Sequence, residues 1–396
     1  LGSSNDSTLI LFSGSTIIGR VDLGDDGGDL DVANIYGNSG GGISTSLTLE
    51  NVEIINLFGV SGVISGDTVL TVDLTSEFSR AIALSSLSSS IHQVVNQRMV
   101  YTPKERPIQV AALTLSPGLL FQEQKPIAWA QAFGGQRDRG AEGNNLAYDL
   151  DHTGFTLGYE WDRNKTRIGL MAGLANSDVE TDIRSTETET DSYYIGAYGH
   201  FKFDSVNVTA SLLGGYSEYE NTRYIVDNLN GLEKSQADFD GVFISPSITV
   251  NTAFEISEKI ELRPSASLNY SMAWLDDYQE SGSTRSNLDV DKRTVSAVAA
   301  RAQLATAYEL NLHSEIELRL GLSVRHTDDD DVEANLAGSD FRYANTGDDS
   351  VSGGYAGLNV HVATHDDLSL VADIEYGEVS GDEDYLAGQI SLEYKF

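Results

Sequence analysis

The side chains best suited to chemistry in this sequence are its carboxylates, which gather in two short runs. One run lies within residues 25–31, around a Gly27-Gly28 pair, and the other fills 328–331. Carboxylate oxygens suit Ca²⁺, and the first run resembles one copy of a calcium-binding β-roll repeat. A single copy is matched equally well by solvated loop carboxylates, so we predict no metal site.

Other reactive side chains also fail to form a centre. His361 and His365 have a ligand-like spacing, but on a strand they would lie about 13 Å apart. The absence of cysteine excludes thiolate zinc sites, disulfides and thiol nucleophiles. The sequence also lacks a nucleophile elbow, a phosphate loop and a dinucleotide fingerprint. We expect no cofactor and no catalytic residue here, and any enzymatic activity would belong to a segment upstream of Leu1.

Composition argues against nucleic-acid binding and favours β-structure. The 60 acidic and 25 basic residues give a net charge of −35, which would repel a phosphate backbone. The 38 glycines, 18 tyrosines and 13 phenylalanines stand beside only 6 prolines and 3 methionines, a balance typical of strands and turns. Nowhere do 18 apolar residues run together, so we predict no transmembrane helix.

Alternating apolar and polar residues recur through 127–396 in segments of about ten. In segment 314–325, for example, Leu318 and Leu320 share one face, while Glu317 and Arg319 share the other. This period of two is typical of strands. Twelve strands are predicted: 127–135, 154–161, 167–174, 193–203, 206–216, 242–254, 260–274, 294–308, 314–325, 354–362, 368–376 and 386–396.

The connections between these strands alternate between long polar loops and short turns. Outer-membrane barrels have this rhythm, with short periplasmic turns and long external loops, whereas a soluble sandwich has no reason to place every long loop at one end. Aromatic residues near the strand ends suit interfacial girdles; they are Trp161, Phe201, Phe203, Phe254, Trp274, Tyr308, Tyr376, Tyr394 and Phe396. We therefore predict an all-β fold, a twelve-stranded antiparallel transmembrane β-barrel over 127–396.

The alternate positions of these strands that carry charged side chains are expected to face the lumen. Each such side chain would cost roughly 2–4 kcal/mol near the bilayer midplane if it faced lipid. The predicted lumen-facing residues are Glu160, Arg167, Glu261, Arg263, Arg301, Glu317, Arg319, Asp373 and Glu375.

Upstream of the barrel, the sequence predicts a solenoid-like region, a helix and a linker. Residues 1–74 hold short β-branched runs between glycine-rich turns, a texture typical of irregular β-solenoid rungs. A helix is predicted over 75–99, with Thr75 as N-cap and Arg98 in the last turn. We make no functional prediction for the linker, 100–126.

The predicted helix has an unusual surface, since most positions outside its apolar residues are Ser or Ala. Its length of about 36 Å is enough to thread a membrane pore. An amphipathic helix packed on a soluble β-domain is the alternative. The residues that we expect to act in a pore helix are Phe78, Ile82, Leu87, Ile91, Val94, Asn96 and Arg98.

The order of solenoid-like region, slender helix, twelve-stranded barrel and terminal aromatic resembles the C-terminal translocator of type Va autotransporters of Gram-negative bacteria. The similarity rests on the opening strand 128–135, on 154–162, and on the final strand Gly388-Gln-Ile-Ser-Leu-Glu-Tyr-Lys-Phe396, while 14–24 resembles the end of a passenger β-helix. The resemblance implies an outer-membrane barrel with the helix in its lumen, exporting its own N-terminal passenger and displaying it on the cell surface.

The resemblance also implies partners and an assembly signal. The implied partners are outer-membrane lipid and lipopolysaccharide, the barrel-assembly machinery, periplasmic chaperones and the chain's own passenger, with a monomeric barrel and no nucleic acid. The implied C-terminal assembly signal consists of Ile390, Leu392, Tyr394 and Phe396.

Some autotransporters release their passenger through a helix asparagine that attacks its own backbone, within the motif Val-Asn-Asn-Leu-Asn-Lys-Arg-Met. The corresponding stretch here keeps Asn96, Arg98 and Met99, but Gln93 and Val94 replace the cleavage pair. We therefore interpret Asn96 as a hydrogen-bonding residue in the lumen. Two other functions stay open from the sequence: a surface adhesin or structural outer-membrane protein, and a diffusion porin.

Overall fold

A computed structural model gives the arrangement of most of the chain. It describes residues 6–12, 15–24, 30–36, 44–59, 61–100, 126–143, 145–163, 165–311, 314–329, 331–343, 345, 347–365 and 368–395.

Residues before the helix form short strands. These strands are β1 (Thr8–Leu11), β2 (Val21–Asp22), β3 (Val32–Tyr36), β4 (Ser44–Glu50), β5 (Ile54–Phe58), β6 (Gly62–Ser65) and β7 (Thr68–Thr71). β1, β3 and β5 pair in parallel, with equivalent positions 24 and then 22 residues apart. The rings of Phe12, Tyr36 and Phe58 stack on one another beside this sheet. Parallel stacking of this kind is what successive solenoid rungs require.

The helix α1 (Thr75–Val100) is one residue longer than predicted. The expectation that Thr75 caps it was wrong in detail, because the Leu74 carbonyl accepts the N–H groups of Glu77 and Phe78. The Thr75 hydroxyl instead donates to Asp73 Oδ1 at 2.6 Å. Within the described ranges, no helix combines the length and apolar character needed to cross a bilayer.

The prediction of a closed twelve-stranded antiparallel barrel is confirmed. Its strands are β8 (Ile127–Arg139), β9 (Tyr148–Arg163), β10 (Thr166–Thr181), β11 (Thr186–Lys202), β12 (Asn207–Asp227), β13 (Gly231–Asn251) with its continuation β14 (Phe254–Ser257), β15 (Ile260–Leu275), β18 (Arg293–Asn311), β19 (Ser314–Asp329), β22 (Ser350–His365), β23 (Leu368–Val379) and β24 (Glu383–Lys395). β24 pairs with β8 and closes the ring, with Lys395 opposite Ile127.

Two strand pairs lie outside the barrel wall. β16 (Tyr278–Gln279), β17 (Leu288–Val290), β20 (Val332–Leu336) and β21 (Ser339–Tyr343) form a separate four-stranded sheet, which we call the cap sheet. Its strands come from the two long connections after β15 and after β19. We call the barrel end that carries this sheet the long-loop mouth, and the end where β8 starts and β24 finishes the short-turn mouth.

Several predicted long loops are largely strand. β12 and β13 have 21 residues each and pair without interruption from Asn207–Asn251 to Asp227–Gly231. Their upper halves keep a two-residue period, with a mainly polar and charged outward side and a buried inward side. Sequence reasoning assigned them to loops because they lack the aliphatic side that lipid demands.

The sidedness of the wall follows the predicted parity. Leu318, Leu320 and Leu322 on β19 are 62–69% exposed, while the residues between them face inward. The predicted girdle aromatics that the structure describes are all exposed on the outside: Trp161, Phe201, Phe203, Phe254, Trp274, Tyr308, Tyr376 and Tyr394. An apolar outer band and a polar interior are the requirements of a barrel in lipid.

Candidate functional site

The helix α1 lies inside the barrel and contacts strands on many sides of the wall. Ile91, Val94 and Val95 have no exposed surface, and Phe78, Ile82 and Leu87 are almost fully buried. The predicted pore-helix residues Phe78, Ile82, Leu87, Ile91 and Val94 therefore pack within the lumen, as does Val95. Asn96 lies half-buried on the same helix side as Gln93 and Gln97.

At the long-loop mouth, a buried carboxylate fixes the start of the helix. Glu77 forms ion pairs with Arg80 at 2.5 Å and with Arg293 of β18 at 2.8 Å. Tyr278 of the cap sheet donates its hydroxyl hydrogen to Glu77 at 2.6 Å. Burial, together with the Glu77 carboxylate, raises the pKa of Tyr278, so the phenol stays protonated and keeps donating. Helix, wall and cap sheet thus meet on one side chain.

An aromatic stack holds the next turn of the helix. The rings of Tyr219, Phe239 and Tyr278 lie face to face with centroids 4.8 and 4.6 Å apart. The Arg80 guanidinium lies 4.6 Å from the Phe239 ring centroid. A desolvated cation over aromatic faces is worth about 2 kcal/mol, so this stack is an energetic anchor. We call Glu77, Arg80, Arg293 and the three rings the upper anchor.

A histidine sets the rotation of the helix at mid-depth. His92 is fully buried, with Nδ1 2.8 Å from Ser211 Oγ on β12 and Nε2 2.9 Å from Ser245 Oγ on β13. Both ring nitrogens are therefore satisfied by adjacent strands. A neutral imidazole suits this pair of hydroxyl partners, because a hydroxyl can donate to one nitrogen and accept from the other.

Arg98 fixes the other end of the helix near the short-turn mouth. Its guanidinium contacts Glu393 at 2.5 Å and the fully buried Glu160 at 3.1 Å, and it lies 4.5 Å from the Trp129 ring centroid. Tyr198 donates to the second Glu160 oxygen at 2.8 Å. We call this group the lower anchor.

The predicted lumen-facing charges come together in three clusters. Glu160 and Arg167 lie 3.6 Å apart beside the lower anchor. Arg263 binds Glu261 at 2.6 Å and Glu317 at 2.9 Å. In the third cluster, which sequence alone could not group, the ion pairs are Arg319–Asp373 at 2.6 Å, Arg319–Glu375 at 3.4 Å and Arg301–Glu375 at 2.5 Å.

Sequence reasoning missed the aromatic residues that line the lumen. Trp129 and Tyr198 lie on the inner face, each directly against a glycine of a neighbouring strand. A Cβ built on Gly158 would lie 2.1 Å from Trp129, and one on Gly169 would lie 2.1 Å from Tyr198. Glycine therefore provides the socket for each ring, and the signal that could have found these pairs is glycine at a cross-strand position.

The remaining predicted sites lie either on the outer face of the barrel or outside the described residues. Ile390, Leu392 and Tyr394 of the predicted assembly signal are exposed on the outer face of β24, while Phe396 lies outside the described residues. Most of the linker 100–126 and most of the acidic run within 25–31 also lie outside them. The described residues contain no group of three or more side chains placed to hold a metal ion.

A closed lipid-facing barrel with a helix anchored along its bore defines a membrane translocator fold. The family model for the autotransporter beta-domain matches residues 128–375. The chain belongs to the autotransporter β-domain family, and its barrel is embedded in the bacterial outer membrane.

Similar proteins agree with this assignment. The translocator domain of the autotransporter NalP from Neisseria meningitidis aligns with a TM-score of 0.58 and 16% identity, covering 79% of this chain and 98% of that one. Outer membrane protein A of Rickettsia conorii is 25% identical over 57% of this chain, and Esterase EstA of Pseudomonas aeruginosa is 23% identical over 46%. The matched regions cover only 11% and 29% of those two proteins.

Proposed function

We propose that this chain exports its own N-terminal segment through the outer membrane and retains it at the cell surface, with α1 left in the lumen as a plug. The observation that carries the proposal is the path of the chain. The short N-terminal strands lie at the long-loop mouth, α1 runs down the bore, and β8 begins at the short-turn mouth. Since outer-membrane barrels place long loops outside, the N-terminal segment lies on the external side.

The contacts of that segment with the barrel support retention. β4 adds in parallel to the upper end of β12, with Ser44 opposite Ile225. At the β12–β13 turn, the Asn228 side chain donates to the carbonyls of Gly19 and Thr48, at 3.0 Å each, and accepts from the Thr48 N–H at 2.8 Å. The wall therefore continues into the exported segment as a hydrogen-bonded sheet.

The anchored helix disfavours the diffusion-porin alternative. Both ends of α1 are fixed by buried charges, and its middle is fixed by His92. A porin needs an open aqueous bore, whereas this bore is occupied along its length by a helix that contacts the wall on many sides. An adhesin function of the exposed rungs is compatible with export and would act after it.

We also propose the functional parts around this core. Residues 1–74 are the exported remnant, 75–99 the plug, 100–126 the connection and 127–396 the barrel. The proposed partners are lipopolysaccharide and lipid around the barrel, and the assembly machinery and chaperones during biogenesis. The barrel supplies no chemistry of its own in this proposal. An enzymatic activity, such as the printed name of the esterase relative indicates for that protein, would belong to an upstream passenger.

A reporter fused upstream of Leu1 tests export directly. In intact cells, added protease should remove the reporter while a periplasmic marker survives. The matched control carries Gly158→Leu, which places a side chain where Trp129 lies and should block barrel assembly, leaving the reporter protected. A reporter that stays protected although the barrel is folded in the outer membrane would refute export.

A further inference from the structure

We propose that a cavity beside the serine face of α1 binds a small inorganic anion of the chloride class. The cavity lies between the helix and the wall formed by β8, β9, β18, β19 and β22–β24, and has a volume of about 80 Å³. One water needs roughly 10–15 Å³ by such a measure, so a halide with part of its hydration shell fits. The proposal concerns the folded barrel and holds whether or not the chain exports a passenger.

The charges that face this cavity are predominantly positive. Among the described lining residues, Arg137, Arg301 and Arg325 stand against one carboxylate, that of Glu375. That carboxylate is already bound by Arg301 at 2.5 Å, by Arg319 at 3.4 Å and by the Tyr385 hydroxyl at 3.0 Å. Its lone pairs are therefore occupied by donors, and it repels an incoming anion less than a free carboxylate would.

Behind this lining, one carboxylate serves several guanidinium groups. Glu383 pairs with Arg137, with Arg325 at 2.5 Å and with Arg139 at 3.8 Å. Arg139 has a second partner in Glu142 at 2.7 Å. Among the ion pairs of the described residues, three guanidinium groups share two carboxylates here, an excess of one positive charge in a chain whose net charge is −35.

Neutral donors complete the cavity. Ser86 accepts a hydrogen bond from Arg137 Nε at 3.2 Å, which leaves its own hydroxyl hydrogen to donate. Ser89 and Ser90 of the helix also line the space. His152, 7% exposed, contacts Ser90 through Nε2 at 2.8 Å, and its buried Nδ1 has no hydrogen-bond partner among the described residues. When Ser90 donates to Nε2, the neutral ring carries its proton on Nδ1 as a further donor.

A second arginine cluster in the lumen differs from the cavity in its net charge. Arg263 also faces the lumen, but Glu261, Glu315 and Glu317 surround it at 2.5–2.9 Å. That cluster carries an excess of negative charge and does not line the cavity. Its arginine is the matched control for removal of a guanidinium from the lumen.

Chloride binding is measured by ³⁵Cl NMR line broadening on the detergent-refolded full chain, titrated with bromide. The test variants are Arg325→Gln, which leaves Glu383 paired with Arg137, and Ser89→Leu, which fills the cavity. In the parent and in Arg263→Gln, we expect chloride line broadening that falls to a plateau as bromide is added. In both test variants, this bromide-sensitive broadening should be at least fivefold smaller. Heat-modifiable electrophoretic mobility identifies folded barrel in every sample.

Three results would overturn the site. If added bromide does not reduce the broadening to a plateau in the parent, the barrel has no defined chloride site. Equal loss in Arg263→Gln and Arg325→Gln means a general charge effect of the lumen. Undiminished broadening in folded Ser89→Leu means that chloride binds elsewhere.

Discussion

Removing the Arg98 guanidinium should loosen the helix from the barrel more than any exposed substitution of the same kind. Arg98→Gln leaves Glu160, which has no exposed surface, without its 3.1 Å ion-pair partner, and leaves Glu393 without its 2.5 Å partner. Breaking one side of a buried ion pair costs about 3–5 kcal/mol. Because Arg167 remains 3.6 Å from Glu160, we take the lower figure of about 3 kcal/mol, and the undocked population should rise about 100-fold.

The indole beneath Arg98 provides the assay. Trp129 is buried in the lumen, whereas Trp161 and Trp274 are exposed on the outer wall. In a Trp161→Phe, Trp274→Phe background, Trp129 emission reports undocking of α1 during urea titration of the refolded barrel. With a slope of about 1 kcal/mol/M, Arg98→Gln should lower the undocking midpoint by about 3 M.

Two further variants make this result interpretable. Arg184→Gln removes an arginine that is 82% exposed and pairs with Glu180 at the end of β10. It should change the midpoint by less than about 1 M, since exposed pairs contribute about 0–1 kcal/mol. Adding Glu160→Gln to Arg98→Gln should recover part of the loss, because the buried charge disappears. A midpoint for Arg98→Gln within 0.5 M of the parent would refute the lower anchor.

The other predictions concern packing, pH and retention. Gly158→Ala should cost about 1–3 kcal/mol of overpacking and reduce the heat-modifiable folded fraction, whereas Gly214→Ala, whose new Cβ meets only one atom at 3.8 Å, should not. Burial raises the pKa of Asp73. Its contribution to the free energy of unfolding is therefore full below about pH 4 and falls as pH rises through the higher folded-state pKa. Asp73→Asn should reduce this pH dependence of the melting temperature. Asn228→Ala should lose about 1.4 kcal/mol of docking and speed proteolysis of residues 15–59 about tenfold, with the exposed Asn230→Ala as control; equal rates in both would contradict the proposed docking.

The sequence predicted the features that depend on solvent. The strand number and inward parity were readable because lipid on one side and polar surface on the other impose a two-residue period. The upper halves of β12 and β13 were missed because their outward side is polar instead of aliphatic, while their inward side packs on the upper anchor. The helix was found from its polar flanks and its length.

The anchors could not be predicted because they depend on barrel register. Glu77 meets Tyr278 and Arg293, which are 201 and 216 positions away, and Arg98 meets Glu393 across 295 positions. No local pattern marks such partners. The lumen aromatics were hidden for a related reason: Trp129 and Tyr198 look like lipid-facing residues until the glycines opposite them on β9 and β10 are known.

The upper part of the β12–β13 hairpin sets the distance between the outer aromatic girdle and the N-terminal segment. Residues 217–227 of β12 continue beyond Tyr216, and 11 residues at about 3.4 Å each, tilted by about 40°, rise about 28 Å. The first rungs of the N-terminal segment rest on the tip of this hairpin through Asn228. On the proposed export, this hairpin would hold the N-terminal segment about that far above the outer girdle.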